Sequence, residues 1–280
     1  MLMKFIDVDG VSTRCLVAGQ PDAPSIMLIH GLSLTADIWS RHIDHLARNF
    51  RVIAPDMLGH GFTRPRDGER TTIPSKLAHL IRLADIMGMD RFVVSGSSYG
   101  GLIGANLFLA HPDRINKLVI NGSGSCFNTE AQLAEFLTRI HKSYKPTLTR
   151  STPQMWRDRL TNSVFELASI PPELPMLLSL CYAQPWVERC WDETIETMRD
   201  AAAFRPYRIL ERLETVSAKT FVVWGRNDKG GNYESAVAAV ARMPHAHLIA
   251  LDRCGHLPML EQTEIYNRVI DDFLCDRMDA

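Results

Sequence analysis

The segment 96–101, Gly-Ser-Ser-Tyr-Gly-Gly, constrains the local fold of this chain more than any other stretch. It follows a β-branched and aromatic run at 91–95 that is typical of a buried strand, and it precedes an apolar run at 102–110 that is typical of a buried helix. A serine at the apex of so sharp a turn needs small residues two positions before and after it, and Gly96 and Gly100 meet that need. The pattern predicts a nucleophilic serine at Ser98.

The rest of the chain alternates short apolar runs with segments of helical periodicity. The first two runs are joined by the turn pair Asp9-Gly10, which predicts a hairpin, whereas the later runs are separated by helix-length segments that predict parallel crossovers. Apolar residues recur at three- and four-residue spacing over 77–87, which predicts a helix, and Gly88 is placed to end it. The sequence predicts an α/β fold whose eight-stranded, mostly parallel sheet carries helices on both faces, with strands at 4–8, 13–17, 25–29, 51–54, 92–95, 117–120, 220–224 and 247–251.

The alternation stops between residues 125 and 214, where helical patterns are interrupted by prolines. We expect a helical cap subdomain at 125–214, inserted into a core domain made of 1–124 and 215–280. Helix starts are expected at Thr129 and at Thr152, where Pro153 would occupy the first helical position. Most of the large apolar side chains should form the core of the cap and a minority should face the site: Trp156, Phe165, Met176, Leu177, Leu180, Tyr182, Trp186 and Trp191.

A nucleophilic serine needs a base that takes its proton and a carboxylate that orients that base. His256 lies just after the last strand-like run, beside Gly255 in a loop that could reach the serine. Asp228 follows the strand predicted at 220–224. Asp252 is a rival, but it precedes the histidine by only four residues, which makes a side-on approach less natural. We therefore predict the catalytic set Ser98, Asp228 and His256.

The chain order of these three residues resembles that of the α/β-hydrolase fold and differs from the chymotrypsin and subtilisin orders. The resemblance covers nearly the whole chain and implies a serine hydrolase. Relatives of this fold that displace at saturated carbon carry aspartate at the nucleophile position, so Ser98 indicates addition to an activated carbonyl and acyl transfer.

The same resemblance implies an oxyanion hole. The His-Gly pair at 30–31 follows the third predicted strand, where this fold builds half of that hole, so one donor would be the backbone N–H of Leu32. The other would come from Tyr99, directly after the nucleophile. Two such donors aimed at a developing oxyanion contribute about 3 kcal/mol or more of transition-state stabilisation. His30 is interpreted as structural.

Within the fold, the chain most resembles the meta-cleavage-product hydrolases, which cut a carbon–carbon bond in vinylogous 1,5-diketones. The likeness extends over residues 117–124, 221–228 and 252–256. Three positions diverge from the family pattern. Ser97 stands where asparagine is usual, Leu257 stands where tryptophan is usual, and Leu32 replaces an expected polar residue.

The family resemblance also implies a cap arginine that pairs with the substrate carboxylate. The corresponding stretch, 182–185, carries no positive charge, and Arg189 is the nearest substitute. Because a bidentate arginine contact is hard to replace, its loss favours a neutral ester, a lactone or a less charged diketone over an acidic dienol ketone. The predicted substrate-binding residues are Ser33, Ser97, Trp186, Arg189 and Leu257.

Four functions therefore stay open at this stage. A C–C bond hydrolase of meta-cleavage-type diketones comes first, and a carboxylesterase or lactonase comes second. Further alternatives are a hydrolase-like ligand receptor, which turnover measurement would separate from an enzyme, and a cofactor-independent dioxygenase, which would consume oxygen.

Composition restricts the partners. The 31 lysines and arginines balance 32 aspartates and glutamates, which argues against nucleic acid or an anionic membrane and in favour of a small molecule. The six cysteines are scattered without a C-x-x-C pair, as expected in the cytoplasm. His245 and His247 lack further ligands nearby, so neither a metal nor another cofactor is predicted. A homodimer is common among similar proteins.

Overall fold

One eight-stranded sheet organises the molecule, which the computed structural model describes over residues 1–277. The strand order is β1-β2-β4-β3-β5-β6-β7-β8, and β2 alone runs in the direction opposite to the other strands of this sheet. All eight predicted strands and the mostly parallel topology are confirmed. The strands are β1 (Leu2–Val8), β2 (Val11–Ala18), β3 (Ser25–Ile29), β4 (Arg51–Pro55), β5 (Phe92–Ser97), β6 (Ile115–Asn121), β7 (Lys219–Gly225) and β8 (Ala246–Leu251).

The helices cover both faces of this sheet. The predicted end of the second helix is confirmed, because Met87 is its C-cap and Gly88 follows in the left-handed region with φ +64°. The α-helices in chain order are α1 (Ile43–Leu46), α2 (Ile73–Ile86), α3 (Tyr99–Ala110), α4 (Gly124–Phe127), α5 (Glu130–Thr149), α6 (Pro153–Ser163), α7 (Leu174–Tyr182), α8 (Val187–Arg199), α9 (Ala201–Phe204), α10 (Tyr233–Val240), α11 (Pro258–Glu261) and α12 (Thr263–Leu274).

The two predicted helix starts between β6 and β7 are confirmed. The Thr129 hydroxyl accepts the Gln132 N–H, and the Gln132 side chain accepts the Thr129 N–H in return, so a capping box begins α5. Thr152 caps α6, with Pro153 as its first residue. Because both starts use local hydrogen bonds, they could be recognised without knowledge of the tertiary structure.

The segment between β6 and β7 is helical from α4 to α9, with short 3-10 turns before β7. We expected most of its large apolar residues to be buried in its own core, and this is true of only some of them. Trp156, Tyr182 and Trp191 are buried, whereas Met176 and Leu180 are exposed on α7. The bounds 125–214 for the cap, with 1–124 and 215–280 for the core, remain our proposal.

A fully buried lysine joins this segment to the rest of the molecule. Lys76 on α2 donates to the Thr194 hydroxyl on α8 at 3.0 Å and to the Thr71 carbonyl. Thr71 in turn donates through its N–H and its hydroxyl to Glu193 at 2.8 and 3.0 Å. Burial lowers the pKa of Lys76 to about 7, against the weaker opposing effect of Cys190 and Glu193. An amino group without a carboxylate in direct contact is therefore enclosed between α2 and α8.

We expect Lys76 to make stability increase with pH on the alkaline side of neutrality. Between about pH 7 and the ordinary lysine pKa of 10.5, the unfolded chain binds a proton that the folded chain lacks. The free energy of unfolding should therefore gain on the order of 1 kcal/mol per pH unit in that window from this group. Urea unfolding at several pH values measures the difference in free energy of unfolding between wild type and Lys76→Met. If this difference does not vary with pH, the pKa of Lys76 is not lowered in the folded protein.

Candidate active site

Ser98 lies at the apex of a tight turn between β5 and α3. Its backbone is in the left-handed region, with φ 53° and ψ −118°, which is strained for a residue with a side chain. A Cβ on Gly96 would lie 2.2 Å from the Gly100 carbonyl oxygen, and a Cβ on Gly100 would lie 2.2 Å from that of Ile29. The close approach of three backbone segments therefore requires both glycines and presents Ser98 at the sheet's carboxyl edge.

His256 and Asp228 come together at the same edge of the sheet. Asp228 follows β7 and His256 follows β8, and His256 Nδ1 lies 2.8 and 2.9 Å from the two carboxylate oxygens of Asp228. The Asp228 carboxylate is fully buried and also accepts the Gly230 N–H at 2.6 Å. With Nδ1 engaged by the carboxylate, Nε2 remains the nitrogen available to a nucleophile.

The environment of His256 favours its protonated form. Burial lowers the pKa of His256, but the charge and hydrogen bond of Asp228 outweigh that effect, with a smaller contribution from Glu261, so the pKa lies above its ordinary value. A general base must be neutral before it can take a proton. Activity that uses His256 should therefore decrease as the pH is lowered below this raised pKa.

The rival carboxylate lies elsewhere. Asp252 forms an ion pair with Arg226 at 2.7 Å, and its side chain is 83% exposed. It makes no hydrogen bond to His256 in the described part of the chain. The structure thus brings Asp228, and not Asp252, to the histidine.

The two residues predicted to donate to an oxyanion are close to Ser98. Tyr99 is the first residue of α3, so its N–H has no acceptor within that helix. Leu32 follows Gly31, whose Cβ would lie 3.2 Å from that of Ser98. His30 holds this loop, because its ring nitrogens bond the Gly31 carbonyl at 2.7 Å and the Met57 N–H at 3.0 Å. The donor roles of Leu32 and Tyr99 remain a proposal.

A cavity of about 550 Å³ opens beside Ser98 and His256. Of the predicted substrate-binding residues, Ser33 and Leu257 belong to its wall, as does Leu32. Its size is in the range that holds a small organic ligand. The apolar part of the wall comes mainly from α5 and α6 and includes Phe136, Ile140, Tyr144, Trp156 and Leu160.

Three predicted substrate-binding residues are corrected by the structure, which does not bring them to this cavity wall. Ser97 is fully buried at the end of β5 and does not line the cavity, although its neighbour Ser98 does. Trp186 precedes α8 and packs against the hydrophobic core. Arg189 is engaged at the surface, where it donates to Glu193 at 2.7 Å and to the Glu69 carbonyl at 3.1 Å. Arg189 therefore does not replace a carboxylate-binding arginine.

Arg159 on α6 supplies the cavity with a cation that the sequence prediction missed. Its guanidinium is buried, donates through Nη2 to the Ser33 hydroxyl and lies 4.6 Å from the centre of the Trp156 ring. Its Nη1 has no hydrogen-bond partner within residues 1–277. Burial lowers the pKa of Arg159 to about 10, so the group is still charged at neutral pH. The sequence offers no signal for it, since its place in the cavity depends on how the cap folds.

Two other findings concern membranes and metals. None of the helices within residues 1–277 is long and apolar enough to cross a bilayer. The same residues contain no cluster of three histidine, cysteine, aspartate or glutamate side chains that could hold a metal ion.

We expect Ser98→Ala and His256→Ala to lower hydrolysis of p-nitrophenyl acetate by on the order of 10³-fold or more, because each removes a member of a unit that acts jointly. Asp228→Asn should be similarly damaging, since it leaves His256 in the wrong tautomer. Asp252→Asn is the matched control and should match wild type. Initial rates together with circular dichroism test this, and a damaging Asp252→Asn with an active Asp228→Asn would contradict the assignment.

Comparison with known proteins agrees with the geometry. Residues 26–269 match the model of the alpha/beta hydrolase family. A 2-hydroxy-6-oxo-2,4-heptadienoate hydrolase of Pseudomonas putida is 25% identical over 97% of this chain and 95% of its own length. A 2-hydroxy-6-oxo-6-(2'-aminophenyl)hexa-2,4-dienoic acid hydrolase of Metapseudomonas resinovorans is 29% identical over 99% of this chain and 92% of its own length.

Among solved structures, a 2-hydroxy-6-oxo-6-phenylhexa-2,4-dienoate hydrolase from Rhodococcus sp. strain RHA1 superposes with a TM-score of 0.81. The match covers 98% of each chain at 24% identity, a level at which it supports the fold alone. The sheet order, the turn at Ser98 and the family match lead to one conclusion: this chain belongs to the alpha/beta hydrolase family and is a hydrolase.

Proposed function

We propose that this chain hydrolyses a carbon–carbon bond in an acidic 2-hydroxy-6-oxo-2,4-dienoate, with Ser98, His256 and Asp228 as its catalytic residues. The observation that carries the proposal is Arg159, a buried guanidinium with an unpaired Nη1 in the wall of the cavity that Ser98 also lines. The names of the two relatives above contain the same dienoate unit. Arg159 would bind its carboxylate.

The charge of Arg159 favours an anionic substrate. A charged group that is buried without a counter-ion loses hydration that only an opposite charge or further hydrogen bonds can replace. In the described structure, Arg159 forms no ion pair, and its side chain contacts the Ser33 hydroxyl and the Tyr144 and Trp156 rings. A substrate carboxylate would fill this gap with a charge-assisted hydrogen bond, which is stronger than one to a neutral oxygen. With Arg159 in the cavity wall, the missing arginine at 182–185 no longer favours a neutral substrate.

The proposed reaction begins at the C6 ketone of the substrate. Ser98 Oγ adds to this carbon as His256 takes its proton, and the amides of Leu32 and Tyr99 stabilise the oxyanion. The C5–C6 bond can break once the 2-hydroxyl proton has moved to C5, which gives the 2,6-diketone tautomer. The electron pair of that bond then delocalises through C4 and C3 onto the C2 oxygen, and His256 returns its proton to this 2-hydroxydienoate fragment. Water activated by His256 finally hydrolyses the acyl ester on Ser98 and releases a carboxylic acid.

The alternative functions fit these residues less well. A neutral ester or lactone could be cleaved by the same acylation chemistry, but it would leave Arg159 without a partner. A hydrolase-like ligand receptor would differ from an enzyme in its turnover, and a dioxygenase would not need a serine at the strained apex of the turn. Carboxylester or lactone hydrolysis therefore remains an outcome of the test below.

Compartment and assembly are further parts of the proposal. All six cysteines are free thiols and five of them are buried, which supports a reducing compartment such as the cytoplasm. We also propose a homodimer, because edge strand β1 leaves Leu2, Met3 and Phe5 exposed along an unpaired edge that a second copy could cover. Light scattering on the purified protein measures its mass directly.

Arg159→Gln tests the substrate class. We expect it to lower kcat/KM for a 2-hydroxy-6-oxo-dienoate by roughly tenfold to a hundredfold, mainly through KM, because it removes a charge-assisted hydrogen bond. Hydrolysis of neutral p-nitrophenyl acetate should change little. Arg189→Gln, which removes an arginine outside the cavity, should affect neither substrate. Equal losses on both substrates would argue against a carboxylate contact, and wild-type activity restricted to esters or lactones would overturn C–C hydrolysis.

A further inference from the structure

The loop that carries His256 is attached to the end of α6. The His256 N–H donates to the Ser163 carbonyl at 2.9 Å. A Cβ on Gly255 would lie 2.7 Å from that same oxygen and 2.8 Å from Val164 Cα. The main chain on the N-terminal side of the histidine is thus in van der Waals contact with the cap. Arg159 lies one turn earlier on the same helix.

A single carboxylate completes this attachment. Glu261 Oε2 accepts the N–H of Phe165 at 2.7 Å and that of Gly255 at 2.8 Å, while Oε1 accepts the N–H of Leu257 at 2.9 Å. No lysine, arginine or histidine within residues 1–277 forms an ion pair with Glu261. Its charge is therefore directed at three backbone amides, two of which flank the catalytic histidine.

We propose that Glu261 is a positioning residue that fixes His256 relative to the cap. It connects the backbone on both sides of the histidine with the backbone just beyond α6. The three consecutive N–H groups of 255, 256 and 257 then all donate to Glu261 or to the cap backbone. The loop that carries His256 is thereby held against the end of the helix that carries Arg159. The inference rests on the function proposed above.

Other links between this loop and the cap are weaker. Arg253 forms an ion pair with Glu166, but the two side chains are 71% and 57% exposed. Exposed ion pairs contribute about 0 to 1 kcal/mol, because water screens them and the side chains lose rotamer entropy. Hydrogen bonds from amides to a charged carboxylate are stronger and shorter than neutral ones. Among these links, the loss of Glu261 should therefore displace His256 the most.

Glu261→Gln is the direct test, because it keeps the shape of the side chain but replaces one acceptor oxygen and removes the charge. We expect kcat to fall by roughly tenfold to a hundredfold on both a dienoate and p-nitrophenyl acetate, the loss that a misplacement of about 1 Å can cause. KM for the dienoate should change little, unlike in Arg159→Gln. Glu264→Gln, which alters an exposed carboxylate in the first turn of α12, is the matched control and should leave both constants unchanged.

Two measurements make the test independent of any substrate. In a Ser98→Ala background, the pKa of His256 followed by NMR should be lower with Glu261→Gln than without it, because the charged groups that raise it are Asp228 and Glu261. Hydrogen exchange should increase together in 163–169 and in 253–260. A purely local role would increase exchange in 253–260 alone.

The outcomes separate the two proposals. An unchanged kcat, or an exchange increase confined to 253–260, overturns the role of Glu261. Wild type that is inactive on every substrate overturns the proposed function, while the NMR and exchange measurements still decide the positioning role. If circular dichroism shows that Glu261→Gln does not fold, Glu261→Asp keeps the charge on a shorter side chain. Coupled exchange increases in that variant support the link, and unchanged exchange in 163–169 rejects it.

Discussion

The end of β6 connects all three proposed catalytic residues, and the geometry of the site depends on it. Its Asn121 carbonyl accepts the Ser98 N–H at 2.7 Å, and the Ser123 hydroxyl donates to the Ser98 carbonyl at 2.6 Å. Between them, Gly122 has φ +51°, and a Cβ there would lie 2.9 Å from Asp228 Oδ2. Main-chain contacts thus hold the nucleophile at its strained backbone conformation and leave just enough room for the carboxylate that orients His256.

The two buried charges of the site differ in how they are compensated. Asp228 has His256 and the Gly230 N–H as partners, so its burial is balanced within the protein. Arg159 has a hydroxyl and aromatic rings but no anion in the described residues. The charge of Asp228 is compensated and that of Arg159 is not. The cavity is therefore complementary to a substrate that carries a negative charge. This asymmetry is consistent with a site organised around a carboxylate.

Local signals explain why much of the fold could be predicted from the sequence. The eight strands, the end of α2 at Gly88 and the capped start of α5 at Thr129 all depend on residues that are near one another in the chain. The candidate triad was also accessible, because this fold requires polar residues at strand ends in a fixed order. The pairing of His256 with Asp228 at 2.8 Å, rather than with Asp252, agrees with that choice. The substrate-binding residues had no comparable signal.

Arg159 and Glu261 could not be predicted, because each acts through contacts between distant parts of the chain. Arg159 meets Ser33 across 126 positions, and Glu261 meets Phe165 across 96. Two helices that line the same cavity can each present a cation to it. A substrate carboxylate can be bound by a cation on either helix. Main-chain contacts therefore constrain the proposed catalytic residues tightly, whereas the charge that we propose for binding the substrate carboxylate comes from a side chain on α6. The absence of an arginine at 182–185 therefore shows only that a carboxylate-binding cation does not come from that stretch.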